Sequence, residues 1–184
     1  MLILIIVLAV VAIIVVWALV TYNRLVRLSV SADEGESEID VQLKRRHDLI
    51  PNLVETVKGY AGHERQTLER VTEARGAAIS AQGPRDRASA EGELSQALGR
   101  LLALGEAYPD LKANQNFLEL QRELTATEDR IQAARRFYNT QVEALNTKIQ
   151  SLPSKIVARM GNFSEREFFE LEDRAEAEVP SVTF

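Results

Sequence analysis

The chain opens with an uninterrupted apolar run. Residues 2–20 contain no charged residue, no proline and no glycine. Because a helix rises about 1.5 Å per residue, this run would cover roughly 29 Å, close to the ~30 Å hydrocarbon core of a bilayer. A cleaved signal peptide is the alternative, but its apolar region is usually only about 7–15 residues long and follows basic residues. We therefore predict a retained transmembrane anchor at residues 1–21.

The end of the run indicates how the anchor would lie in a membrane. Aromatic side chains favour the membrane–water interface, and Trp17 and Tyr22 flank this end. Arg24 and Arg27 follow it, whereas no Lys or Arg precedes the run. The positive-inside rule then predicts an outside amino terminus and a cytoplasmic domain, with a periplasmic domain as the alternative. The residues assigned to membrane contact are Leu2, Ile6, Ile13, Trp17, Val20 and Tyr22.

A strict seven-residue repeat marks the second half of the chain. We assign it to a helix over residues 114–152 and call its apolar members the heptad stripe. They are Phe117, Leu124, Ile131, Tyr138, Leu145 and Leu152. A seven-residue repeat kept this long predicts left-handed coiled-coil packing against partner helices. Pro153 cannot continue the helix and should end it.

Two more stretches have helical spacing. Leu43, Ile50, Val57 and Val71 share the seven-residue spacing with a break at Glu64, and residues 88–108 carry apolar side chains along one side. Turn signals separate the segments at Gly83-Pro84 and at Tyr108-Pro109-Asp110. Helices joined by short loops bury their stripes as a bundle. The predicted fold is all-α: a transmembrane helix, then an elongated antiparallel bundle of three to four long helices over residues 22–163.

The end of the chain is acidic. Seven acids and two bases between residues 165 and 178 account for the whole formal net charge of −5. The rest of the chain is neutral, which argues against broad adsorption to anionic lipid and against a nucleic-acid partner. We assign residues 164–184 to an acidic tail. Its last apolar residues, Pro180, Val182 and Phe184, alternate after the charged run as in an extended partner-docking segment. A frayed, solvated chain end is the alternative that stays open.

The sequence contains little that points to catalysis. There is no cysteine, which excludes disulfides, thiolate zinc sites and cysteine nucleophiles. The two histidines, His47 and His63, lack the spacing of a zinc-protease helix or of a carboxylate-bridged metal bundle. We therefore predict no catalytic residue, no metal ligand and no cofactor. The basic stretch at residues 44–47 is interpreted as forming ion pairs with nearby acids or a neighbouring helix, with a partner site as the alternative.

Four segments resemble a known family. Residues 39–61 read IDVQLKRRHDLIPNLVETVKGYA, residues 107–113 read AYPDLKA, residues 128–131 read EDRI, and residues 135–139 read RRFYN. These segments resemble the signatures of the LemA family, and the resemblance covers roughly residues 22–169. One departure is at Gly35-Glu36, where a more hydrophobic residue, often Trp, is expected. The resemblance implies a bacterial single-span protein with a helical domain, and it assigns no catalytic residue.

These observations leave three functional hypotheses. The first is a structural or scaffolding protein that self-assembles at the bacterial inner membrane, with membrane lipid, other copies of itself and other membrane-associated proteins as partners. The second is a non-enzymatic regulatory adaptor in envelope stress or sensing. The third is an enzyme with an unrecognised site. Particle size in mild detergent separates the first from the second, because only a scaffold requires a discrete assembly.

Overall fold

The computed structural model describes residues 1–170, and no strand occurs among them. The prediction of an all-α fold with an apolar amino-terminal helix is confirmed. The proposed docking segment at Pro180, Val182 and Phe184 lies outside the described residues. The helices of the described part are α1 (Leu2–Lys58), α2 (Arg65–Ser80), α3 (Gly83–Ala107), α4 (Pro109–Lys112), α5 (Gln115–Gln150) and α6 (Ser154–Met160).

The chain forms two compact units. The first unit comprises Met1–Gln42 and Asp129–Phe168, and the second is built on Leu43–Glu128. Helices α1 and α5 contribute residues to both units, whereas α2, α3 and α4 belong to the second and α6 to the first.

The second unit has the larger apolar core. Its buried side chains come from all five helices that reach it, and α2 packs against α3. Their apolar positions recur at three- and four-residue steps, which places them on one face of each helix. The fully buried members of this core are Leu53, Val57, Ala61, Val71, Leu94, Leu101 and Leu111.

The first unit joins α1, α5 and α6. Leu25 of α1 and Leu145 of α5 are buried against Val157 and Ala158 of α6. Gly35 brings α1 and α5 close together, since a Cβ at this position would lie only 3.1 Å from the Cα of Tyr138. The departure from the family pattern at Gly35 is therefore accommodated by a close approach of two helix backbones, which a larger residue would prevent.

Two details of the helix prediction are wrong. The seven-residue spacing from Leu43 to Val71 indicates one continuous helix, whereas α1 ends at Lys58 and α2 begins at Arg65. The break contains Gly59 and Gly62, which weaken helices. Leu152 is also not buried with the rest of the heptad stripe, because α5 ends at Gln150 and leaves its side chain 76% exposed.

Candidate functional site

The apolar run of α1 is uncovered along its length. None of the side chains from Leu2 to Trp17 is buried, and the predicted contact residues up to Tyr22 remain exposed. By length and composition, α1 is the one helix among the described residues that is able to cross a membrane, although a signal sequence would pass the same test. So long an exposed apolar surface is not stable in water, because soluble monomers rarely expose apolar patches beyond a few hundred Å².

The covered part of α1 starts where the apolar run ends. Thr21 is the first buried residue along the chain, and Leu25 is completely buried. Ala18 packs against the same cluster as Leu25, together with Phe163. Tyr22 contacts Phe163 edge to face, with ring centroids 5.5 Å apart. The boundary between exposed helix and packed protein therefore falls within residues 18–25.

A second candidate site is a largely buried group of ionisable side chains in the second unit, which we call the ionic cluster. It consists of Arg46 and His47 on α1, Glu91 on α3 and Glu128 on α5. Arg46 forms an ion pair with Glu91 through Nη2, and its Nη1 lies 2.5 Å from Oε2 of Glu128. His47 Nε2 lies 2.7 Å from Oε1 of Glu91. The cluster thus connects three helices through side chains alone.

Further hydrogen bonds fix the geometry of the ionic cluster. Arg46 Nη1 donates to Ser95 Oγ at 2.9 Å, and Arg75 Nε donates to the backbone oxygen of His47 at 2.7 Å. The side chains of Arg46 and Glu91 are only 3% and 5% exposed. Nε of Arg46 is buried without a hydrogen-bond partner among the residues that the structure describes.

The charges of the cluster change the acidity of Glu91. Burial raises the pKa of its carboxyl, but the hydrogen bond from His47 and the charge and hydrogen bonds of Arg46 outweigh burial. The pKa of Glu91 therefore lies below its ordinary value. This arrangement keeps Glu91 ionised, which suits a fixed ion pair better than a general acid poised to exchange a proton.

The sequence contains a signal for the ionic cluster beyond the basic stretch at residues 44–47. Arg46 lies three residues after Leu43, and His47 lies three residues before Ile50. Helical spacing therefore places both on the buried face of α1. Glu91 precedes Leu94 by three residues and has the same relation to the stripe of α3. A charged residue at an inward position predicts a buried ion pair, but the sequence does not identify its partner.

The heptad stripe of α5 packs inside the chain. Apart from Leu152, its members from Phe117 to Leu145 are all buried. Tyr138 also donates a hydrogen bond from its hydroxyl to the backbone oxygen of Glu167 at 2.9 Å. Burial of the ring, with the nearby carboxylate of Glu36, raises the pKa of the Tyr138 hydroxyl, so this group remains a donor. Within residues 1–170, no three His, Asp or Glu side chains are grouped to hold a metal ion.

Comparison with known proteins identifies the family. The profile described as the LemA family matches residues 35–184. The chain belongs to the LemA family. This confirms the resemblance noted from residues 39–61 and the shorter segments. The matched region begins at Gly35, so the family profile includes both acidic members of the ionic cluster and excludes the apolar run.

Three curated relatives are similar to this LemA-family chain. Magnetosome protein MamQ 2 of Paramagnetospirillum magneticum is 27% identical in an alignment of 191 positions, gaps included, that covers 90% of this chain and 70% of the relative. Magnetosome protein MamQ of Magnetospirillum gryphiswaldense is 25% identical with the same coverage. Protein LemA of Metamycoplasma hominis is 28% identical over 138 residues, or 74% of this chain and 63% of the relative.

Proposed function

We propose that this LemA-family protein is a non-enzymatic structural protein, anchored by residues 2–20 in the bacterial inner membrane and assembled there into homo-oligomers. The observation that supports the proposal most directly is the uncovered apolar run, continuous in one helix with a packed helical domain. A lipid bilayer is the environment that removes so long an apolar helix from water, while every backbone group stays paired within the helix.

The ionic cluster supports a structural role for the domain. Its members hold one another in a closed arrangement, and Glu91 is kept ionised by its partners. Removing one member of a buried ion pair is costly because the other charge is left uncompensated, and we infer that the cluster fixes how these helices pack. A binding or catalytic site would instead present such groups to a ligand, and both Arg46 and Glu91 are almost wholly covered by protein.

Self-assembly must use surfaces other than the heptad stripe. The repeat first indicated a coiled-coil seam, but the buried members of that seam pack within a single chain. Contacts between copies would therefore be formed by outward side chains of α1 such as Val26 and Val30, which remain exposed. A membrane span raises the local concentration of neighbouring copies, so weak lateral contacts become effective.

Cross-linking tests the assembly directly. Because the chain has no cysteine, single-cysteine variants Val26→Cys and Val30→Cys carry one reactive group each. Leu25→Cys is the matched control, since that neighbouring side chain is fully buried. Specific assembly predicts cross-linked dimers in membranes, the largest product that one cysteine per chain allows, and these should persist when lipid is added to dilute the protein. Products that fall in proportion to dilution, or monomer alone with every linker and in detergent, would instead favour the adaptor.

The orientation of the domain is tested separately. Arg24 and Arg27 lie in the exposed flank just beyond the apolar run and favour a cytoplasmic domain. Val41→Cys is exposed and well beyond that flank, so a membrane-impermeant maleimide should label it only after the inner membrane is opened. Labelling in cells whose outer membrane alone is permeabilised would place the domain in the periplasm, with the anchor retained.

A further inference from the structure

Helix α6 has an outward face that combines apolar and basic side chains. Ile156 is 58% exposed and Met160 is 84% exposed, and they lie four residues apart on the same side of the helix. Leu152, in the turn just before α6, is exposed four residues earlier. Lys155 and Arg159 are also exposed and immediately precede Ile156 and Met160. We call these five residues the α6 patch.

The basic residues of the α6 patch are not used for packing. The side chains of Lys155 and Arg159 form no ion pair with any residue in the described range 1–170. The inward face of the helix is occupied by Ser154, Val157 and Ala158, which are buried. A short helix therefore has one face committed to the protein and one that presents an apolar column beside a basic one.

The position of α6 along α1 is set by its inward contacts. Val157 and Ala158 pack against Leu25, and Ala18 joins the same cluster. The next residue after α6 lies close to Tyr22, since a Cβ on Gly161 would approach that ring within 3.0 Å. Helix α6 is thus held against residues 18–25, the boundary where the apolar run ends.

This boundary coincides with the depth of the lipid headgroups. If residues 2–20 fill the hydrocarbon core, Leu25 lies about 7.5 Å beyond its edge along the helix. The headgroup layer of a bilayer is roughly 5–7.5 Å thick on each side, from a total of about 40–45 Å and a core of about 30 Å. A helix packed at this level has the bilayer surface as its neighbour.

We propose that the α6 patch is a second membrane contact. Leu152, Ile156 and Met160 enter the boundary between headgroups and acyl chains, and Lys155 and Arg159 bind the phosphates of anionic lipids. Amphipathic helices with this combination of faces lie in the membrane interface. The inference rests on the anchor of the proposed function, and it adds that α6 restrains the first unit relative to the bilayer.

A lipid surface fits the α6 patch better than a second copy of the chain does. The inward face of α6 packs at residues 18–25, where the span ends, so one bilayer can contact both the apolar run and α6. Its two cations complement anionic headgroups, each Lys or Arg near such a surface favouring binding about fivefold. An identical α6 patch on a second copy would bring like charges together, which is unfavourable.

Spin labels measure this contact in the full-length protein. Single-cysteine variants Ile156→Cys and Met160→Cys are labelled in phosphatidylcholine vesicles with and without phosphatidylglycerol. Val41→Cys is the matched water-exposed control, because its 58% exposure equals that of Ile156. Ile13→Cys is the reference within the span. Collision with oxygen reports lipid, and collision with a water-soluble nickel chelate reports water.

The expected result is that labels at Ile156 and Met160 collide more with oxygen than the label at Val41 does, and approach the value at Ile13. Water accessibility at α6 equal to that at Val41, with Ile13 in lipid, would overturn the second contact and leave the anchor intact. Shielding of α6 from both reagents would mean that protein covers it, which also overturns the inference. A water-accessible Ile13 would remove the proposed anchor itself.

The basic residues are tested by Lys155→Gln with Arg159→Gln in the labelled proteins. In vesicles that contain phosphatidylglycerol, the ratio of lipid-contacting to water-exposed label should fall by about fivefold for each basic residue removed. Lys44→Gln with Arg45→Gln, two exposed basic neighbours on α1, should leave it unchanged. Equal behaviour of the two pairs would contradict headgroup binding by α6.

Discussion

Asn146 of α5 forms two hydrogen bonds with the backbone of Arg166. Its Nδ2 donates to the backbone oxygen of Arg166 at 2.9 Å, and its Oδ1 accepts the backbone N–H of Arg166 at 3.0 Å. The guanidinium of Arg166 also lies 2.6 Å from Asp33 on α1. Residues 164–168 were assigned from sequence to the tail, yet here they are bound to the first unit.

We expect Asn146→Ala to weaken the attachment of Arg166 to α5. A net hydrogen bond contributes about 0.5–1.5 kcal/mol, so the loss of two should cost about 1–3 kcal/mol of unfolding free energy and speed exchange of the Arg166 amide. Asn146→Asp keeps an acceptor for that amide and should retain more protection than Ala. Thr140→Ala, exposed on the same helix, is the control. Unchanged exchange at Arg166 in Asn146→Ala would contradict this role.

The close approach at Gly35 gives a second prediction. A Cβ there would meet the Cα and Cβ of Tyr138 at 3.1 and 3.2 Å, and a backbone atom cannot move aside as a flexible side chain can. Gly35→Ala should therefore destabilise the first unit by about 1–3 kcal/mol, despite the better helix propensity of Ala. Gly99→Ala has no atom within 4 Å and should stabilise by about 0.5–1 kcal/mol. The measurement is denaturant unfolding in nonionic detergent. A change of stability in the same direction for both variants would contradict the prediction.

The elements that follow a simple period were predictable from sequence. The stripe from Phe117 to Leu145 follows from its seven-residue spacing, because periodicity reports which face of a helix is covered. The same reasoning failed at Gly59, where apolar residues on both sides keep the spacing although the chain turns. A hydrophobic period does not reveal a short loop when the spacing of apolar residues continues across it.

The partners within the ionic cluster could not be predicted. Residues 46 and 91 are 45 positions apart, and only packing of α1 against α3 makes their side chains meet. Sequence identifies Arg46 as an inward charge, but any inward acid on another helix satisfies the same pattern. The α6 patch could not be predicted from sequence either, because its proposed contact with the membrane depends on where Val157 packs.

The ionic cluster should be sensitive to removal of a single member. Arg46→Met leaves Glu91 and Glu128 without their common cation, and breaking a buried pair in this way costs about 3–5 kcal/mol. Arg45→Met, the exposed neighbour, should change stability by less than about 0.5 kcal/mol. Arg46→Met combined with Glu91→Leu should recover part of the loss, since the buried charge of Glu91 is then absent. Equal free energies of unfolding for Arg45→Met and Arg46→Met would mean that the ion pair of Arg46 with Glu91 contributes nothing to stability.

Removal of the anchor tests whether the domain depends on it. Residues 2–17 have no buried side chain, so a chain lacking residues 2–20 should be soluble without detergent and keep its helical circular dichroism. A deletion of residues 2–25 also removes Leu25, which is fully buried, and should cost about 2–5 kcal/mol more. Aggregation of the shorter deletion without helical signal would show that the anchor is part of the fold.

The last prediction concerns acid. The pKa of Glu91 is lowered in the folded protein, so the folded state binds this proton less readily than the unfolded state does. The contribution of Glu91 to stability is therefore complete above its ordinary value of 4.5 and is lost as the pH falls through the lower, folded value.

Glu91→Gln removes this titration, so the difference in stability between the natural protein and Glu91→Gln should shrink as the pH falls below about 4.5. Glu93→Gln is the matched control, because Glu93 is an exposed acid on the same helix. The measurement is denaturant unfolding of each full-length protein in nonionic detergent across the acid range. A difference for Glu91→Gln that stays constant or grows toward low pH would mean that Arg46 and His47 do not hold the charge of Glu91 in the fold.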